Sequence, residues 1–194
     1  MNRPDPGPHL GRVGLVCRWK PVHKGHAALL ESLCERAEHV VIGLGSPNAR
    51  DERNPFTAEE SARMIELVLR PRFENFELVL VPDLGDGPRW ARMVQGLLGE
   101  LDLFVTENAY VEELMTSFYA VAHPASLVPE EKHVAIDGTM VRRAMARGGD
   151  WGALVPPPVA HYLVAEGLVA RFRREFGLAC LASALRERAP RSIA

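Results

Sequence analysis

Cysteine is scarce in this chain: Cys17, Cys34 and Cys180 are an odd number and have no metal-type spacing. That argues against both a disulfide framework and a thiolate zinc site, and predicts reduced, mostly buried thiols. Long apolar runs are missing as well. No stretch approaches the roughly 18 apolar residues of a membrane span, and the opening MNRPDPGPHLGR lacks the apolar segment of a secretory signal. The expectation is a cytoplasmic protein with no membrane partner. Neither sign of charge is in excess, with 23 basic residues against 25 acidic ones. A general polyanion-binding surface is therefore not expected, nor a nucleic-acid partner, and any affinity for phosphate must be local.

What is present is enough apolar material for one sizeable core: 47% of 194 residues are hydrophobic. Residues 1–11 hold three prolines and two glycines and read as an irregular tail, with structure beginning at about Arg12. Beyond it, short apolar runs at 13–17, 39–45, 76–82 and 102–106 alternate with helical spacing at 26–37, 57–69 and 90–101. Thr57 and Glu60 make a capping box at one helix start. A helix over 111–122, a weak strand near 132–136, a helix over 139–148 and another from about Val159 follow. Strands alternating with helices predict an α/β, Rossmann-like, doubly wound parallel sheet over residues 12–165. Residues 166–194 read as a C-terminal helical extension, either packed back on the domain or offered to a partner.

Ligands of such sheets sit beyond the carboxyl ends of the strands. CRWKPVHKGH, residues 17–26, falls there, directly after the first strand. His23 and His26 are three apart and share a helix face, with Gly25 between them leaving room for a close approach. A helix N-terminus supplies free N–H groups and the positive end of a dipole, and Arg18 and Lys20 add charge just ahead of it. The combination suits more than one phosphate. It suits a metal less well, because no carboxylate or thiolate stands beside the histidines at ligand spacing.

HKGH resembles the H-x-G-H signature of the nucleotidyltransferase superfamily, and DGTMVR (137–142) resembles its downstream S-G-T-x-x-R segment. GSPNARDERNPFTAEESARMI (45–65) and DWGALVP (150–156) are similar to segments of one branch, the archaeal-type nicotinamide mononucleotide (NMN) adenylyltransferases. The resemblance implies transfer of an adenylyl group from ATP, with Mg2+ on the triphosphate, to a mononucleotide phosphate. It implies that His23, His26 and Arg142 are catalytic, and that Arg18, Trp19, Lys20, Gly25, Asn108, Asp137, Gly138 and Thr139 bind nucleotide. Arg53, Asp83 and Trp90 would hold the acceptor, with Trp90 against its base.

The chain departs from that pattern at four places. Lys20 replaces a glutamine, Asp137 a serine and Gly87 an asparagine, while TENAYV (106–111) replaces S-G-N-P-x-V. An ionised carboxylate at 137 repels a triphosphate unless it caps the helix or reaches a metal. At this level a sister transferase with another phosphate acceptor or CTP as donor, and a nucleotide sensor without turnover, remain alternatives. So does the choice between a monomer and a homo-oligomer.

Overall fold

A computed structural model describes residues 9–188. Its elements run β1 (Leu10–Cys17), α1 (Lys24–Arg36), β2 (Ala37–Gly45), α2 (Ala58–Leu69), β3 (Phe76–Val81), α3 (Gly87–Leu98), β4 (Leu103–Val105), α4 (Ala109–Met115), β5 (Val121–Ala122), α5 (Gly138–Arg147), α6 (Pro157–Ala165) and α7 (Leu168–Arg188). The five strands are ordered β3-β2-β1-β4-β5 and every pair is parallel. The chain therefore winds outward from β1 through β3, then returns to lay β4 on the other side of β1. Between β1 and β4 the winding reverses, and the cleft at their carboxyl ends is where such a sheet leaves space for a ligand.

Period-two alternation in β2 divides the core into two layers. Val40, Ile42 and Leu44 face one cluster and Val41 the other. The larger cluster takes buried residues from α1, α2, α5, α6 and α7, while the smaller is closed by Ala91, Val94 and Leu98 of α3 and Met115 of α4. Helix α2 begins as its capping box predicts: Glu60 N–H donates to Thr57 Oγ1 and Thr57 N–H to Glu60 Oε2. The same carboxylate receives two hydrogen bonds of 2.6 Å from Arg171, a bidentate pair that ties α2 to α7.

Three elements differ from the sequence expectation. Strand β1 starts at Leu10, because Leu10 pairs with Ala37 and Arg12 N–H is held by Asp102 Oδ2 at 2.7 Å. Residues 1–8 of the expected tail lie outside the described residues. The helix expected over 111–122 stops at Met115, where the Thr116 hydroxyl turns back onto the Glu112 carbonyl. Tyr119 then anchors the chain through Gly99 O at 2.7 Å, and Val121–Ala122 pair with β4. No strand forms near 132–136; Glu130–Lys132 is a 3-10 turn, and His133 Nε2 bonds Val128 O at 2.8 Å.

Helix α7 closes the core by burying Val169, Phe172, Cys180 and Ala184. Phe172 is 1% exposed and 6.4 Å from the Phe56 ring, whereas Leu178 on the opposite face is 85% exposed. Phe172→Ala is expected to lower unfolding free energy by about 3–5 kcal/mol in a urea titration. Leu178→Ala should stay within about 0.5 kcal/mol of wild type.

Candidate active site

The turn after β1 is shaped by Trp19, which adopts φ 56° and points its indole inward. The ring is buried, its N–H donates to Gly43 O at 2.8 Å, and its centroid lies 4.7 Å from that of His26. The indole thus packs beside the His26 ring and braces it. Lys20 also turns inward. Its ammonium is buried and donates to Ser46 O at 2.7 Å, so it braces the β1–α1 turn against the loop after β2. Burial lowers its pKa, and Asp51 opposes that fall.

His23 is the N-cap of α1. Its Nδ1 accepts from His26 N–H at 3.3 Å, so the neutral ring carries its proton on Nε2. The two imidazoles stack with centroids 3.6 Å apart at 24°. Gly25 permits this, since a Cβ there would come within 3.2 Å of both the His23 ring and Ile136 O. The glycine makes room for the protein's own ring, and the expected clearance for ligand is secondary. Burial pushes the His23 pKa down to about 4, with Arg142 adding to the fall and Asp137 opposing it. His26 is held well below its usual value by burial and by His23, against the Pro21 backbone. Both rings are neutral N–H donors at pH 7.

Arg142 enters from α5. One guanidinium nitrogen donates to Lys20 O at 3.0 Å and another to Thr139 Oγ1 at 3.2 Å. Gly138 leaves room for this placement, because a Cβ would lie 2.8 Å from Arg142 Nη1 and displace the guanidinium. Asp137 caps α5, its Oδ1 accepting from Met140 N–H at 2.8 Å. The carboxylate that seemed hostile to phosphate is thus occupied at the helix start, and Asp137, Gly138 and Thr139 together aim Arg142. Burial lowers the Arg142 pKa, and Arg18 and Arg53 lower it further through repulsion. The positive charges of Arg18 and Arg53 thus reach the Arg142 guanidinium, and the combined field suits a polyanion.

Several residues of the site were not expected. Asp51 Oδ1 accepts from the N–H groups of Arg53 (2.7 Å) and Asn54 (2.8 Å), folding the loop that presents Arg53 at the surface. Burial raises the Asp51 pKa, but Asn54, the Arg53 amide and Lys20 outweigh it and keep the carboxylate ionised. Asn48 and Asp83 exchange two backbone–side-chain bonds of 3.0 Å, joining the loops after β2 and β3. An Asx pattern, D-x-x-N, marks the first feature in the sequence; nothing local marks the second. Asn108 caps α4, its Oδ1 accepting from Tyr110 N–H at 3.0 Å. Trp90 is half-buried on α3 against the smaller core cluster. Asn108, Asp83 and Trp90 thus stand at the same carboxyl edge as the histidines, on the β3 and β4 side. A cavity of about 510 Å3 lies at the opposite, amino edge near Arg12 and Asp102, where Arg12 is already paired with Glu77. It does not share this chemistry.

A profile for cytidylyltransferase-like proteins matches residues 17–144, from the Cys17 turn through Arg142. The chain belongs to that family. Among its relatives are nicotinamide-nucleotide adenylyltransferases of Pyrococcus furiosus, 31% identical over 81% of this chain and 85% of that protein, and of Thermococcus sibiricus, 33% identical over 76% and 80%. That of Methanococcus vannielii is 28% identical over 84% and 94%. A crystal structure of a bifunctional NMN adenylyltransferase/ADP ribose pyrophosphatase from Francisella tularensis shares the fold. It superposes with a TM-score of 0.67 at 16% identity, covering 93% of this chain and 57% of that one. The cytidylyltransferase-like match ends within α5, and α6 and α7 follow it and pack on the larger core cluster.

Titration of the histidines sets a stability slope. Their folded pKa values lie below the ordinary 6.5, so the stability tied to the neutral rings is complete above pH 6.5 and is lost as pH falls through about 4. For His23 the loss is on the order of 3 kcal/mol. His23→Asn keeps an N-cap acceptor, and denaturant titrations between pH 7 and 4 should give it a flatter decline than wild type.

Proposed function

We propose that this nucleotidyltransferase joins ATP to nicotinamide mononucleotide, giving NAD and pyrophosphate. The observation that carries the reading is two stacked, neutral imidazoles at the switch point of the sheet, with the buried Arg142 guanidinium near them and Arg18 and Arg53 adding to its positive field. Catalysis there rests on charge stabilisation and positioning, so it needs no protein nucleophile. A non-bridging oxygen of the acceptor's 5'-phosphate forms a bond to the α-phosphorus of ATP. The bond from that phosphorus to the α–β bridging oxygen breaks, and its electron pair leaves with pyrophosphate. His23 Nε2–H and His26 donate to the phosphate oxygens on which charge accumulates. Arg142, fixed by Lys20 O and Thr139, faces the departing pyrophosphate.

Among the described residues no group of three or more histidines, cysteines or carboxylates is arranged to hold a metal. Mg2+ would enter with the triphosphate as its counter-ion, which is the usual way this ion meets nucleotides. The site belongs to a cytoplasmic enzyme in this reading, in keeping with three free cysteines whose pKa values burial raises. No helix of the described residues is long and apolar enough to cross a membrane.

The decisive experiment is pyrophosphate release with ATP and NMN, run beside other nucleoside triphosphates and other phosphate acceptors. His26→Ala and Arg142→Ala should each lower kcat by about 10²–10³ fold with far smaller changes in KM, as expected for donors that act most strongly in the transition state. Near wild-type kcat in both variants would remove the assigned chemistry.

On the acceptor side, stacking a ring on an indole is worth about 1–3 kcal/mol. Trp90→Ala should therefore raise KM for NMN by roughly 10–100 fold while KM for ATP stays within a few fold. A fall in melting temperature with both KM values rising together would make Trp90 a packing residue only.

A further inference from the structure

Tyr110 stands in the first turn of α4 and is 56% exposed, yet its phenol reaches across to α3. A Cβ on Gly87, the first residue of α3, would overlap the Tyr110 hydroxyl and lie 2.9 Å from Cζ, with Leu114 Cδ1 at 3.1 Å. Gly87 is not among the glycines with positive φ, so backbone geometry gives no reason for glycine at this position. Nor does helix formation, since glycine is among the poorest helix formers and Asp86 already caps α3 through Arg89 N–H at 2.9 Å. What position 87 provides is a seat for the phenol. Trp90 is three residues further on and shares that face of α3. Two aromatic side chains, one from α3 and one from α4, therefore stand at the carboxyl edge of the sheet, in the first turns of the helices that follow β3 and β4.

We propose that Tyr110 is a specificity-determining residue that forms the second wall for the acceptor's base, and that Gly87 exists to admit it. The proposal rests on the reading of Trp90 as the acceptor's stacking partner. A planar heteroaromatic ring bound between an indole and a phenol gains contact on two faces, whereas the triphosphate of ATP is left to the arginines and histidines. Because Tyr110 is exposed and free to swing, a side chain at 87 displaces the phenol without breaking the fold. The Gly87→Ala change therefore acts through Tyr110, and the two positions are coupled.

The test is a double-mutant cycle on the full chain with Tyr110→Ala, Gly87→Ala and the pair, reading KM for NMN, KM for ATP and the melting temperature. Loss of one aromatic wall is expected to raise KM for NMN about tenfold in either single variant. KM for ATP should stay within about twofold, and the double variant should be no worse than Tyr110→Ala alone. In the Tyr110→Ala background, Gly87→Ala should leave the melting temperature unchanged or raise it. An unchanged KM for NMN in Tyr110→Ala, losses that multiply in the double variant, or a parallel rise in KM for ATP would each overturn the proposal. Wild-type protein that forms no product from NMN would overturn the acceptor reading itself, and this proposal with it.

Discussion

The bond from the Arg142 guanidinium to the carbonyl of Lys20 spans 122 residues of sequence and joins the two halves of the candidate site. Everything else in the cleft is arranged around it. Lys20 can offer that carbonyl because its own side chain is buried against the loop after β2, and Arg142 can reach it because Gly138 has no Cβ and Thr139 holds the other guanidinium nitrogen. A guanidinium buried in the field of two others is costly without an anion, and burial and like charge both oppose it. The sheet supplies the compensation through rigidity: both ends of the bond hang from elements packed on the larger core cluster.

The histidine pair follows the same economy of roles. His23 caps α1, fixes its own tautomer by doing so, and stacks on His26, which in turn rests near Trp19. Replacing any member alters helix termination, ring orientation and proton placement together. That interdependence explains why the residues sit at the first turn of a helix: only there are backbone N–H groups free to orient a side chain and attract phosphate at once.

Elements with strong local pattern were legible before any coordinates. The first four strands, the α2 capping box and the helix over 139–148 rest on periodicity or capping chemistry over a few residues, while the grouping of Arg142 with His23 and His26 comes from the family resemblance alone. What escaped was non-local or too short. Strand β5 has two residues and exists only because β4 offers an edge. The inward packing of Trp19 and Lys20 could not be read from their place between Arg18 and His23, because it rests on a turn at φ 56° and on a carbonyl 26 residues away. The Asn48–Asp83 exchange and the seat of Tyr110 over Gly87 join separate loops and helices, and no window of sequence contains both partners.

Helix α7 does more than close the core. Arg50 is paired with Glu175 at 2.7 Å and lies over the Phe176 ring, and Ser183 donates to Glu52 at 3.2 Å. The loop that presents Arg53 is thereby strapped to the last helix by contacts whose ionic component is only half shielded from water. Ionic strength then acts on the cleft twice. With a Debye length of about 8 Å at physiological salt, added ions weaken the attraction of the arginines for a triphosphate and loosen the strap that keeps one of them in place. An organism with a saline cytoplasm would need a different fastening at this point, one built on the Phe176 face instead of the Glu175 carboxylate.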